Sequence, residues 1–118
     1  MSSDANNSDA AFQELIRMLE GAVLAGVSSI GMEFEDRNLI VYYHTGNMGL
    51  GAARIPKELE RDVINELVRR TGLDRKTKGK MPVMLLGKEY DVVVEESQSF
   101  DEPVFNLTIK ERKKKAAK

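Results

Sequence analysis

The chain predicts an α+β domain in which two helices pack on one mostly antiparallel sheet of about five strands, in the order α-β-β-α-β-β-β. Three observations carry that expectation. Apolar residues recur at helical spacing in two separate segments, the period switches to alternation between and after them, and turn-forming residues punctuate each switch. With 118 residues, 42% hydrophobic and 31% charged, the composition is that of one globular unit rather than a disordered chain.

Residues 1–8 are polar and read as a disordered leader, residues 9–110 as the single domain, and residues 111–118 as a basic tail. Ser8 suits a helix N-cap, with Asp9 in the first turn where the helix dipole favours an acid. Phe12, Leu15, Ile16, Leu19 and Val23 then share one helical face, and Gly26 is a natural terminator, so the first helix is expected over 9–25. Ile30, Met32 and Phe34 alternate with Gly31 and Glu33, the pattern of a strand with one buried face. Glu35 to Asn38 is a turn, and Leu39 to His44 is rich in strand formers, which makes a hairpin. The segment Gly46 to Gly51 is expected as a loop.

Pro56 suits the first position of a second helix. Leu59, Val63 and Leu67, flanked by Ile64 and Val68, supply its apolar stripe, and Gly72 ends it. Val83 to Leu86 and Glu89 to Glu95 read as strands joined at Gly87-Lys88, where a leading glycine suits a type II′ turn. A polar loop, Ser97 to Pro103, leads to a last strand from Val104 to Lys110.

There is no cysteine, which removes disulfides, thiolate chemistry and Cys-ligated metals and suits a reducing compartment. Met1 to Ala10 lacks the basic and apolar regions of a signal peptide. The longest uncharged apolar stretch, Gly21 to Met32, is too short to span a bilayer. A cytoplasmic chain without a membrane span is therefore expected.

Candidate chemistry is sparse. The glycines of Gly46 to Gly51 do not lie between a strand and a helix N-terminus, as a dinucleotide fingerprint requires, and no P-loop pattern occurs. His44 is the single histidine, and neither a nucleophile nor further metal ligands accompany it. Glu95 and Glu96 are neighbours on a strand and so point to opposite faces, which precludes a close acid/base dyad. No catalytic set and no cofactor are expected. The candidate partner-binding residues are instead Tyr42, His44, Asn47 and Met48, on the second strand and the glycine-rich segment.

The net charge is −1, yet the basic residues are concentrated in two stretches. Arg69, Arg70, Arg75, Lys76, Lys78 and Lys80 form one, and Lys110, Arg112, Lys113, Lys114, Lys115 and Lys118 form the other. Both are candidate anion-binding segments, and a chain polarised in this way can bind an anionic partner despite a small net charge. No aromatic residues are interleaved with the terminal lysines to stack on bases, so nucleic-acid binding is the alternative to a protein partner or self-association.

Several segments, taken in order, resemble the N-terminal, PAS-like domain that precedes the motor domain in type II secretion and type IV pilus ATPases. Ala25-Gly26-Val27-Ser28-Ser29-Ile30-Gly31-Met32-Glu33 looks like that family's stretch from a helix end into the first strand. Val41 to Gly46 stands where the family has its second strand. Ile55-Pro56 opens a helix whose end, Arg70-Thr71-Gly72-Leu73-Asp74, is similar to the family's. Pro82, Tyr90 to Val94, and Glu102-Pro103-Val104-Phe105 match later segments, so that the likeness covers about residues 12–110. The resemblance implies the fold and a partner-binding role. It does not imply nucleotide contact: Tyr43 and Val93 stand where the family has arginines, Thr45 stands where it has an aspartate, and the P-loop motor is missing from the chain.

Overall fold

The apolar stripe of the first helix packs where its spacing says it should, but the helix is longer than its stripe. A computed structural model of the chain describes residues 3–45, 48–99 and 102–112. Helix α1 spans Ser3–Leu24 and begins six residues before position 9, so Ser8 lies inside it and segment 3–8 continues the helix rather than forming a leader. Once a packed stripe has nucleated a helix, each further residue adds a hydrogen bond at small cost. Ala11, Leu15, Met18, Leu19 and Ala22 form the fully buried row, and Phe12, Ile16 and Val23 pack along its margins.

Both helices stop at a glycine in the left-handed region. Gly26 has φ +74°, its N–H bonds to the Val23 carbonyl, and the next N–H, of Val27, reaches the Ala22 carbonyl at 2.8 Å. Gly72 has φ +78°, and the Leu73 N–H reaches back to the Val68 carbonyl at 3.2 Å. Each glycine is followed by a buried apolar residue, Val27 or Leu73, which plugs the helix end against the core. Pro56 is extended rather than helical, at ψ 135°. A 3-10 turn, Lys57–Leu59, follows it and feeds α2, Glu60–Thr71.

Six strands, not five, form one wholly antiparallel sheet. They are β1 (Ser29–Glu35), β2 (Asn38–Thr45), β3 (Met48–Arg54), β4 (Lys78–Leu85), β5 (Lys88–Ser99) and β6 (Glu102–Glu111), in the spatial order β3-β2-β1-β6-β5-β4. The extra strand is β3, which takes in Met48 to Gly51, residues expected in a loop. Glycine and alanine have little strand propensity of their own, but pairing with β2 supplies the hydrogen bonds. Leu50 is the extra residue of a bulge, since Tyr43 pairs with Gly51 while His44 pairs with Gly49. The chain order is thus α-β-β-β-α-β-β-β.

Strand β4 starts five residues before Val83 and runs through Pro82. Its hairpin to β5 closes on the pair Leu85–Lys88, so Leu86 and Gly87 are the turn residues. Both have positive φ, +52° and +81°, which makes this a type I′ turn rather than type II′. A two-residue loop makes Leu85–Lys88 a hydrogen-bonded pair, and alternation then points the backbone groups of Met84, Pro82, Lys80 and Lys78 outward. Proline thus occupies a place on this edge strand where no sheet donor is needed.

The buried side chains described for the sheet lie on one face, among them Ile30, Met32, Leu39, Val41, Met81, Leu85, Val92, Val94, Phe105 and Leu107. Each fully buried Leu, Ile or Phe among them stabilises the fold by roughly 1.5–3 kcal/mol. Both helices cover this face. Gly79 of β4 receives the last turn of α2, while Gly21 of α1 lies over Tyr43 of β2. The Arg70 guanidinium stands 3.6 Å above the Phe12 ring and joins the two helices across their seam.

Candidate interaction surface

Among the described residues, no helix covers the opposite face of the sheet. Strand β4 alternates regularly between exposed and buried residues, and the exposed set Lys78, Lys80, Pro82 and Met84 belongs to this open face. In register beside them lie Asp91, Val93 and Glu95 of β5, then Val104, Asn106 and Thr108 of β6. Ser29, Gly31 and Glu33 of β1 and Ile40, Tyr42 and His44 of β2 complete it. Ile40, Tyr42, Val93 and Val104 are half-buried, sheltered only by their neighbours on the strands. Alternation along a strand places such residues in a row without a second layer to bury them.

Tyr42 and His44 sit toward one side of this face, on β2 beside the edge strand β3. Their rings are 6.5 Å apart between centroids and inclined by 25°. The His44 imidazole lies over Gly31, whose missing Cβ would stand 3.0 Å from His44 Nε2, with Asn106 Oδ1 close by. The Tyr42 hydroxyl donates to the Glu35 carboxylate. That hydrogen bond, then loss of hydration and the nearby charges of Glu35 and Glu33, push the phenol up to about 12 from an ordinary 10.0. Tyr43, the neighbouring residue, points to the core face, where burial raises its pKa. Of the four residues expected to meet a partner, Tyr42 and His44 thus share the open face. Asn47 and the side chain of Met48 lie outside the described residues.

The first basic stretch is divided among three places. Arg69 and Arg70 are both paired with the buried carboxylate of Glu66, at 2.7 and 3.0 Å, and Arg70 is also stacked on Phe12. The bond to Glu66 raises the pKa of Arg69. Arg75 and Lys76 flank a depression at the end of α2, with Arg75 4.0 Å from Asp74. Lys78 and Lys80 project from β4 on the open face. In the second stretch, Arg112 is held by Asp91 at 2.7 Å, which raises its pKa, and Lys113, Lys114 and Lys115 lie outside the described residues.

A groove of about 540 Å³ on the helix side escaped the sequence reading. Phe34, Arg37, Lys57, Glu60, Arg61, Ile64 and Asn65 line it, between the β1–β2 turn and the first half of α2. Phe34 and Ile64 are half-buried. Glu60 is buried, accepts the Leu39 N–H at 3.0 Å and lies 3.5 Å from the Lys57 ammonium. Lys57 also donates to the Arg37 carbonyl. Neither the Arg37 nor the Arg61 guanidinium has a carboxylate partner among the described residues. The two groups that line it, Phe34 with Arg37 and Lys57 to Asn65, are 20 or more positions apart in the chain, so their meeting has no sequence signature.

Among the described residues no three His, Cys, Asp or Glu side chains gather as a metal site would require, and no helix is long and apolar enough to cross a membrane. What the fold and its surfaces define is a two-layer α+β domain, helices on one face of a six-stranded antiparallel sheet and the other face open. Comparison with protein-family models and with curated proteins finds no match to this chain.

Proposed function

We propose that this chain is a non-catalytic protein-interaction and assembly module, acting in the cytoplasm, with the open sheet face as its principal binding surface. The observation that carries this reading is a set of four half-buried residues with apolar bodies, Ile40, Tyr42, Val93 and Val104, spread over a face that no described helix covers. Apolar side chains left half-exposed in this way gain from a partner that removes them from water, at roughly 25 cal/mol per Å² of apolar area. The likeness of residues 12–110 to the N-terminal domain of secretion ATPases supports the same role, because that domain works through partners. The extra strand β3 is a departure from the element order on which that likeness rests.

Both sheet edges are poor alternatives. The β4 edge carries Lys78, Lys80 and Pro82, and the β3 edge is broken by the bulge at Leu50 and ends in Arg54, the devices that discourage strand addition.

The test is recovery of the tagged chain from its native host under mild conditions, beside measurement of its own oligomeric state. A specific protein partner or a defined oligomer is expected, lost in the double variant Ile40→Lys, Val104→Lys while the fold is retained. Recovery of neither partner nor oligomer sinks the reading. A nucleic-acid role has one observation in its favour: Lys76, Lys78 and Lys80 have no ion-pair partner among the described residues. It predicts retention by duplex or single-stranded DNA at low salt that falls steeply as salt rises.

A further inference from the structure

We propose that the groove between the β1–β2 turn and α2 is the seat of an acidic segment of a protein partner, whose apolar side chains rest on Phe34 and Ile64 and whose carboxylates reach Arg37 and Arg61. This deepens the interaction-module reading by naming a second contact and its chemistry.

Charge decides the occupant. Three cations and one carboxylate line the groove, and the carboxylate, Glu60, is already occupied by the Leu39 N–H and the Lys57 ammonium. Lys57 is itself committed to Glu60 and to the Arg37 carbonyl. That leaves Arg37 and Arg61 as exposed residues whose guanidiniums have no carboxylate partner among the described residues, beside the half-buried apolar Phe34 and Ile64. Arginine presents a planar fork that binds a carboxylate in two places at once, and its charge disfavours a basic segment. A volume of about 540 Å³ is enough for a few side chains but not for a folded domain.

The backbone under Arg37 supports the assignment. Asp36 and Arg37 form the β1–β2 turn with φ +51° and +68°, positions where Asn-Gly is the low-cost pair. A Cβ held there opposes the backbone, at Arg37 more than at Asp36, since aspartate tolerates the left-handed region. An arginine kept at such a position, lining the groove and with its carbonyl gripped by Lys57, is the pattern of a residue retained for a contact.

The experiment titrates isotope-labelled full chain with a short peptide of Glu and Leu residues, followed by amide chemical shifts. Matched peptides of Lys and Leu, and of Glu and Ser, are run alongside. Shifts are expected to centre on Phe34, Arg37, Arg61, Ile64 and Asn65, with both control peptides at least about tenfold weaker. The double variant Arg37→Glu, Arg61→Glu is expected to weaken binding by a further order of magnitude or more. Arg37→Gly separates binding from folding: it lowers affinity while raising the unfolding midpoint, because glycine relaxes the turn.

No binding at low salt, equal binding of the Lys-Leu peptide, shifts centred elsewhere, or undiminished affinity in the double variant each overturns the proposal. If a native partner survives Arg37→Glu, Arg61→Glu but is lost with Ile40→Lys, Val104→Lys, the groove is dismissed and the interaction module stands. If no native partner or oligomer exists, the module reading falls whatever the peptide does.

Discussion

The Glu60 carboxylate accepts the Leu39 backbone N–H at 3.0 Å, joining the first residue of α2 to the second residue of β2. The β1–β2 hairpin closes on Glu35–Asn38, so the N–H and carbonyl of Leu39 face the β3 side. There the Ile55 N–H takes the carbonyl at 3.1 Å, but Pro56 then turns the chain away. Glu60 fills the acceptor position that the ladder leaves open, with Lys57 beside it to balance its charge. Glu60→Ala leaves a buried donor unsatisfied and is expected to cost about 1–3 kcal/mol. Glu60→Gln keeps an acceptor oxygen in place and is expected to cost clearly less. Equilibrium unfolding of the two variants checks the order, and equal losses would mean that the hydrogen bond is not what holds this corner.

Gly79 marks a close approach of helix and sheet. A Cβ at this position would stand 2.1 Å from the Thr71 carbonyl oxygen and 2.8 Å from its Cβ. Thr71 is buried and anchored by its own hydroxyl to the Leu67 carbonyl at 2.7 Å, so the end of α2 has nowhere to retreat. Gly79→Ala is expected to destabilise by about 3 kcal/mol, the upper part of the overpacking range. Gly31→Ala is the control. There the nearest atom is the end of the His44 side chain at 3.0 Å, on an open face where the ring can swing aside. Its loss of stability is expected to be much smaller, as thermal unfolding of the pair will show.

Signals confined to a few neighbouring residues were legible in the sequence, and meetings of distant residues were not. Gly26 and Gly72 end their helices as expected because a left-handed terminator depends only on the local chain. The stripe around Leu15 and Leu19 was readable from its period, although the buried row runs through Ala11, Met18 and Ala22 as well. Strand β3 was missed because Gly49, Gly51 and Ala52 have no strand preference, and only pairing with β2 makes them a strand. The start of β4 was hidden by Pro82, which is acceptable at an edge and nowhere else in a sheet. On the candidate surfaces, alternation brought Tyr42 and His44 together visibly. The contiguity of Arg69 with Lys80 was misleading, because α2 ends between them and sends the two ends to opposite sides of the sheet. The burial of Glu60 had no sequence signal, because the Leu39 N–H that it accepts lies 21 positions away.

The β4–β5 turn holds a removable strain. Leu86 has φ +52° in a type I′ turn and is 48% exposed, so its side chain gains little from burial while its Cβ opposes the backbone. The turn is held in place by the Leu86 N–H, which donates to Glu20 of α1 at 2.9 Å and survives any substitution except proline. Leu86→Asn is expected to stabilise the chain by about 1 kcal/mol, since asparagine tolerates the left-handed region. Leu86→Ala, which keeps the Cβ, is expected to gain almost nothing. A higher urea midpoint with an unchanged slope for the first variant alone is the expected result.

The raised pKa of Tyr42 links the open face to alkaline stability. Its hydrogen bond to Glu35 is made by the protonated phenol, and the pKa stands at about 12 when folded against 10.0 for an ordinary tyrosine. A group whose pKa is raised by folding contributes stability that is fully present below the unfolded value. That contribution fades as pH climbs through the folded value. The window is therefore pH 10 to 12. Tyr42→Phe removes the phenol and with it this dependence, so the stability gap between the parent chain and the variant is expected to close across that window. Tyr43 also titrates late, through burial, but it is common to both proteins and cancels in the comparison. Unfolding midpoints at a series of alkaline pH values read the gap directly. A gap that stays constant with pH would show that the Tyr42 hydroxyl exchanges Glu35 for water at no cost, and the polar half of the open face would then be free to re-form around a partner.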